Sequence, residues 1–236
     1  MQLYIANKLY SSWSLRPWLL MTALDIPFEE VRIPMYLPDS KARMLDVSPT
    51  GKMPCLVDGS VRVWESLSII EYLHEKFPSK CIWPADATAR AHARSVSSEM
   101  HAGFQALRMA CPMNLGKRFQ PHDLGSDVDD NVRRFQGLVS DCKRRFGTGG
   151  EFLYGAFSAA DSMYAPLVSR LDTYQIDLAS QTRQYVNAVL EHPAFVKWKT
   201  DALAEPWGIT HYEEGWTTAE TLHMPTVVTG HPRASA

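Results

Sequence analysis

Residues 49–77 change character three times in quick succession, and few folds accommodate that order. Ser48-Pro49-Thr50-Gly51 is a turn signal. Lys52-Met53-Pro54 then delivers a proline into the short apolar run Cys55-Leu56-Val57. Asp58-Gly59 suits a tight hairpin turn, and Val61-Arg62-Val63 forms the returning strand. The polar pair Glu65-Ser66 follows, and Leu67, Ile70, Leu73 and Phe77 recur at spacings of three and four on one helical face.

Working outward, residues 2–6 read as a strand and 7–12 as a polar loop. Ser12 or Ser14 is placed to cap a helix through Trp18, Leu19, Met21 and Leu24, with Pro17 in its first turn. Phe28, Val31 and Ile33 give a second strand, and residues 40–45 a short helix. The first eighty residues therefore run βαβαββα. Pro78 stops the last helix, and residues 81–88, with Pro84 inside, read as a linker.

Residues 89–216 read as helical throughout. Ala89, Ala93, Val96, Met100, Phe104, Leu107 and Cys111 mark one face of a single long helix. Residues 128–146 form a second long helix, broken by Gly147-Thr148-Gly149-Gly150. Ser158-Ala159-Ala160-Asp161 is a capping-box signature opening a core helix through Met163, Leu167, Leu171 and Tyr174. Two further helices, 182–190 and 194–202, flank His192-Pro193. Residues 217–236 turn polar, which predicts a poorly ordered tail or an arm over the surface.

Composition excludes several function classes. The 236 residues are 45% hydrophobic and 21% charged, with a net charge of −2 and no dense basic block, so nucleic acid is not an expected partner. No apolar stretch approaches a membrane span, and the N-terminus lacks a signal-peptide pattern. The four cysteines (Cys55, Cys81, Cys111, Cys142) show no metal spacing and fit a reduced, cytoplasmic protein. The eight histidines show no metal spacing either. Asp127-Val128-Asp129-Asp130-Asn131 lacks the glycine and the final glutamate of a calcium loop and reads as an acidic helix start. No metal is expected. There is no G-x-S-x-G and no phosphate-binding glycine loop.

Four motifs in order now carry a resemblance. Ser11-Ser12-Trp13-Ser14-Leu15-Arg16, Pro49 to Leu56, Glu65 to Leu73, and Phe157 to Asp161 together resemble the soluble glutathione transferases, nearest the serine-type zeta and theta-like classes. The resemblance implies an α+β two-domain chain. A thioredoxin-like domain with a mixed four-stranded sheet (1–80) is joined by the linker to an all-α bundle (89–216), and the chain is expected to form a homodimer. It further implies glutathione as cosubstrate, a small hydrophobic electrophile as second substrate, and a detoxifying transferase activity.

The chemistry expected of such a site is ionisation of a thiol. A free thiol titrates near ~8.5, and hydroxyl donors at a helix N-terminus stabilise its anion. Ser11 and Ser12 both lie where the first strand gives way to the first helix, and either suits that role; Ser11 falls on the serine of the closest motif match. Read alone, Pro54 starts an edge strand in trans; the resemblance implies a cis Met53-Pro54 bond, with the Met53 backbone pairing to the cysteinyl part of glutathione. Glu65 and Ser66 read equally as an ordinary helix start, and in the resemblance they hold the γ-glutamyl ammonium and carboxylate. Lys52 is placed for the glycine carboxylate.

Trp13 departs from the cysteine of the zeta motif, which puts isomerisation of maleylacetoacetate in question and offers an apolar wall instead. With no cysteine in that loop, thiol–disulfide exchange there is disfavoured. His101, Phe104 and Arg108 are the electrophile-pocket candidates, with Trp207, Tyr212 and Trp216 as a cover. Glutathione-dependent peroxide reduction and a non-catalytic interaction protein are the competing functions.

Overall fold

The computed structural model describes residues 1–230. The first half-domain is a four-stranded mixed sheet in the order β2-β1-β3-β4, built from β1 (Gln2–Ile5), β2 (Glu29–Arg32), β3 (Cys55–Asp58) and β4 (Val61–Trp64). β1 and β2 are parallel because α1 (Ser12–Ala23) crosses between them. β3 is antiparallel to both β1 and β4, the latter through the hairpin turn at Gly59, whose φ of +60° is the left-handed backbone that glycine adopts freely. α2 (Ser40–Val47) and α3 (Ser66–Lys76) complete the predicted βαβαββα order, and the chain carries the two-domain fold expected from the resemblance.

The N-terminus of α1 differs from the expectation in a way that matters. Ser11 is the N-cap, its hydroxyl accepting the Ser14 N–H at 3.4 Å. Neither Ser12 nor Ser14 caps. The helix thus begins three residues earlier than a Ser14 cap would allow, and Pro17 sits inside it rather than in its first turn. Pro17 supplies no N–H to the carbonyl of Trp13, four residues back.

α1 is apolar on nearly every side: Leu15, Trp18, Leu19, Leu20 and Met21 are buried. It fits because it is covered twice, by α3 within the sheet half and by α7 (Ala159–Thr173) and α9 (Pro193–Leu203) from the helical half. Each such side chain removed from water stabilises the seam by about 1.5–3 kcal/mol. α7 is held at its start by its predicted capping box. The wholly buried Asp161 accepts the Ser158 N–H at 2.9 Å and the Leu153 N–H at 3.0 Å.

The helical half holds α4 (Ala87–Ala102), α5 (Gln105–Ala110), α6 (Ser126–Phe146), α7, α8 (Ser180–Glu191) and α9. The single helix expected over 89–111 is two helices. The chain breaks at Gly103-Phe104, where Phe104 adopts a left-handed conformation (φ 57°, ψ 32°). The apolar stripe hid the break: Met100, Phe104 and Leu107 are all buried, so their spacing looks continuous. The region is also not purely helical. β5 (Lys117–Phe119) pairs with β7 (Thr218–Thr221), and β6 (Trp207–Ile209) pairs with β8 (Val227–Thr229). Residues 217–230 are therefore an ordered arm over the surface; the remainder of the predicted tail, 231–236, lies outside the described residues. No helix among the described residues is long and apolar enough to cross a membrane.

Candidate active site at the seam of the two halves

The loop from Asn7 to Ser11 is fixed from both halves. Its Lys8 N–H donates to Glu205 Oε1 at 2.8 Å, and the Lys8 carbonyl accepts Trp198 Nε1–H at 3.0 Å. The Asn7 side-chain oxygen accepts the Met35 N–H at 2.7 Å. So held, the loop presents Ser11 and Ser12 at the positive end of α1. Ser11 Oγ–H donates to Ser14 Oγ at 2.8 Å, and Ser14 Oγ accepts the Ala6 N–H at 3.1 Å. The Ser12 hydroxyl has no protein partner among the described residues, and both serines line the cavity described below.

Across from them, the Met53–Pro54 bond is cis. Lys52, Met53, Pro54, Glu65, Thr50 and Trp13 line one narrow cleft. Glu65 holds an unusual backbone conformation (φ 68°, ψ 126°), and Ser66 begins α3 with its side chain buried. Backbone conformations this sparsely populated persist where the surroundings impose them. Ser66 Oγ accepts from Arg16 at 3.5 Å. Arg16 is itself wholly buried with no carboxylate partner among the described residues. Burial, with the charges of Arg108 and Arg170, pushes its guanidinium down to about 9.

Trp13 is the partition between this cleft and a larger cavity, since it lines both. Its ring lies between two guanidiniums, Arg16 at 4.1 Å and Arg108 at 4.8 Å. It meets the His101 ring edge-on at 5.1 Å, and His101 Nε2 stands 3.8 Å from Glu65 Oε2. His101 thus belongs beside the Glu65 cleft and is not among the residues lining the larger cavity. Phe104 is likewise elsewhere: its left-handed turn sends the ring into the core against Tyr164, at 5.9 Å. Of the three predicted pocket residues on α4 and α5, Arg108 alone lines the cavity.

The larger cavity has a volume of about 850 Å³. Ser11, Ser12 and Trp13 form one wall; Met35, Met44 and Met53 another; Arg108, Met113 and Arg170 face them from the helical half. Methionines make such a wall adaptable in shape. Arg108 donates to the carbonyls of His101 and Gly103, and Arg170 to those of Cys111 and Pro166. Neither is paired with a carboxylate among the described residues. The short turn Thr210–Tyr212, ahead of the arm, brings His211 and Tyr212 to the cavity, Tyr212 packing edge-on to Tyr10 at 5.4 Å. Burial pushes the Tyr10 phenol up to about 12, and its oxygen accepts the Ile209 N–H at 3.2 Å. Of the aromatics predicted as a cover, Tyr212 lines this cavity, while Trp216 stacks on Tyr174 and His122 some way off.

Residues 10–76 match the family model described as glutathione S-transferase, N-terminal domain. The chain is 28% identical over 199 residues to a probable maleylacetoacetate isomerase of Caenorhabditis elegans, covering 80% of this chain and 90% of that one. The chain is thus similar to the glutathione S-transferase superfamily, its residues 10–76 to the N-terminal domain of that family. Among solved structures of that superfamily, a bacterial zeta-class maleyl pyruvate isomerase superposes with a TM-score of 0.65 at 21% identity, covering 86% of this chain and 98% of the other. A Burkholderia glutathione transferase homolog with bound glutathione gives 0.64 at 20%, covering 85% and 97%.

Among the residues lining the larger cavity that sequence reasoning missed are Arg170, Met113 and His211. Arg170 carried a signal, because it interrupts an otherwise apolar helix face between Leu167 and Leu171. His211 carried none, since nothing local in the segment after α9 announces that it turns back to the cavity. Among the described residues no cluster of histidine, cysteine or carboxylate side chains is arranged to hold a metal ion.

Proposed function

We propose that the chain is a glutathione-dependent transferase that ionises the glutathione thiol and directs it at an electrophile in the larger cavity. The observation that carries this reading is the continuity of the two spaces. The cleft of Lys52, Met53, Pro54 and Glu65 opens past Trp13 into the cavity where Ser11 and Ser12 stand at the start of α1.

In this reading the glycine carboxylate lies towards Lys52, the cysteinyl backbone pairs with Met53, and the γ-glutamyl end reaches Glu65 and Ser66. That places the sulfur near the two serines, where their hydroxyls and the helix start stabilise a thiolate. The thiolate attacks the electrophilic carbon and the leaving group departs, or the sulfur adds across an activated double bond. The protein's contribution is binding, orientation and thiol ionisation. The homodimer implied by the resemblance belongs to this reading and is checked by sedimentation.

The test is a glutathione titration followed by ultraviolet difference absorbance in the thiolate band. A bound thiol that titrates below free glutathione supports the reading. Binding with no fall in thiol pKa defeats it.

Arg108 and Arg170 favour one narrower reading, an electrophile that carries a carboxylate, as in maleylacetoacetate isomerisation. Two guanidiniums without carboxylate partners beside a mainly apolar cavity suit a substrate with an anionic end. Turnover of maleylacetoacetate, set against a neutral electrophile, decides between the two.

A further inference from the structure

We propose that His101 is a positioning residue that makes the grip on glutathione pH-dependent. As the uncharged imidazole it leaves the Glu65 carboxylate to the γ-glutamyl ammonium; as the imidazolium it takes that carboxylate for itself. This rests on the placement of the γ-glutamyl end at Glu65 given above.

The geometry is that of a contact waiting for a charge. His101 Nε2 stands 3.8 Å from Glu65 Oε2, too long for a hydrogen bond and close enough for an ion pair. Its Nδ1 is enclosed and meets no partner, so Nε2 is the ring nitrogen with a polar group to face. Trp13 holds the ring edge-on at 5.1 Å and fixes its plane. The Glu65 side chain is 50% exposed, so a ligand reaches it from the cleft side.

The charged and titratable groups around the ring come from three elements. α1 contributes Arg16, the β4–α3 junction contributes Glu65, and α5 contributes Arg108. Burial is the largest influence and holds the imidazole below its ordinary range. Arg16 and Arg108 push the same way, and Glu65 opposes them. His101 is therefore neutral at neutral pH, and its proton returns only below the ordinary imidazole range. An ammonium ligand arriving at Glu65 opposes that proton, so by linkage the proton opposes the ligand.

Among the described residues no other histidine ring nitrogen pairs with Glu65. Free glutathione itself changes charge little between pH 5 and 7, because its carboxyls titrate below that window and its amine and thiol above it. A fall in affinity across that window therefore reports on the protein.

The experiment is isothermal titration of glutathione into the full chain from pH 5 to 8, for the wild type, His101→Gln and Glu65→Gln. The wild-type Kd is expected to rise about three- to fivefold towards pH 5, the size of a partly exposed ion pair. His101→Gln should keep the neutral-pH Kd and lose the acid-side rise. Glu65→Gln, a change on an exposed side chain, should bind weakly at every pH with no such slope. An acid-side rise that persists in His101→Gln overturns the proposal, as does a wild-type Kd that stays flat. Absence of glutathione binding at any pH overturns the transferase reading as well, so the two failures are distinguishable.

Discussion

Ser11 donates its hydroxyl proton to Ser14 Oγ at 2.8 Å, while its own oxygen caps the helix that Ser12 begins. The two candidate thiol ligands are thus chemically unequal. Ser11 is engaged in the local structure, and Ser12 has its proton to give.

Ser12→Ala is therefore expected to raise the pKa of bound glutathione by about one to two units, the worth of one hydrogen bond to an anion. Ser11→Ala is expected to cost about 1 kcal/mol of stability through the lost cap, with a smaller change at the thiol. Difference absorbance against pH, paired with thermal unfolding, checks both. The reverse pattern assigns the thiol to Ser11.

Arg108→Met is expected to raise KM for a carboxylate-bearing electrophile about tenfold or more, since a charge-assisted contact is worth about 1.5–3 kcal/mol. KM for a neutral electrophile should stay within about twofold. Steady-state kinetics with the two substrate types reads the ratio. Equal effects on both mean that Arg108 only shapes the cavity.

The seam yields a stability prediction. Lys8 is 1% exposed, lies 4.5 Å from the Trp18 ring centre, and pairs at 2.7 Å with both Glu30 and Asp201. Lys8→Met takes the shared cation from two carboxylates, leaving Glu30 with Arg32 and Asp201 with Lys197, and is expected to cost about 1–3 kcal/mol at neutral pH. Lys8 contacts hold both carboxyls below their ordinary values despite the opposing effect of burial. A depressed carboxyl stabilises the fold above its unfolded pKa and loses that contribution as pH falls through the folded one. The deficit of Lys8→Met should accordingly shrink below about pH 4. Urea unfolding at several pH values measures it.

Asp161 works in the opposite direction. Burial raises its carboxyl to about 6, against the hydrogen bonds from Leu153 and Ser158 that favour the anion. A raised folded pKa gives stability that is complete below the unfolded value and is lost as pH rises through the folded one. Wild type should thus lose stability relative to Asp161→Asn between about pH 4 and pH 6. Paired denaturation curves show whether that difference has the stated sign.

What was legible in the sequence was whatever is written locally. The hairpin at Asp58-Gly59, the apolar face of α3 and the capping box at Ser158 each follow from residues within a few positions of one another. The expected grouping of Ser11, Ser12, Met53, Glu65 and Ser66 came instead from the resemblance that motif order carries, and its role belongs to the proposed function. What was illegible depends on distant partners. Phe104 keeps the helical spacing of its neighbours, yet the chain turns there. Arg170 interrupts an apolar face in the sequence, but what holds it at the cavity is the carbonyl of Cys111, 59 positions away. His101 lies off the apolar stripe, as Arg108 does, and only the fold separates them: one faces Glu65, the other the cavity. Tyr212 meets Tyr10 from a short turn much further along the chain, and no local pattern encodes that contact.

The turn at Gly103-Phe104 has a wider meaning. It ends α4 just after His101 and restarts the chain as α5, whose Arg108 reaches back to the carbonyls of His101 and Gly103. On the proposed reading the two sides of the joint serve different molecules: one overlooks the invariable tripeptide, the other whatever is joined to it. Substitutions along α5 can therefore drift with the chemistry of the second substrate while the tripeptide's seat stays still, and a lineage can acquire new acceptors without having to rediscover its cosubstrate.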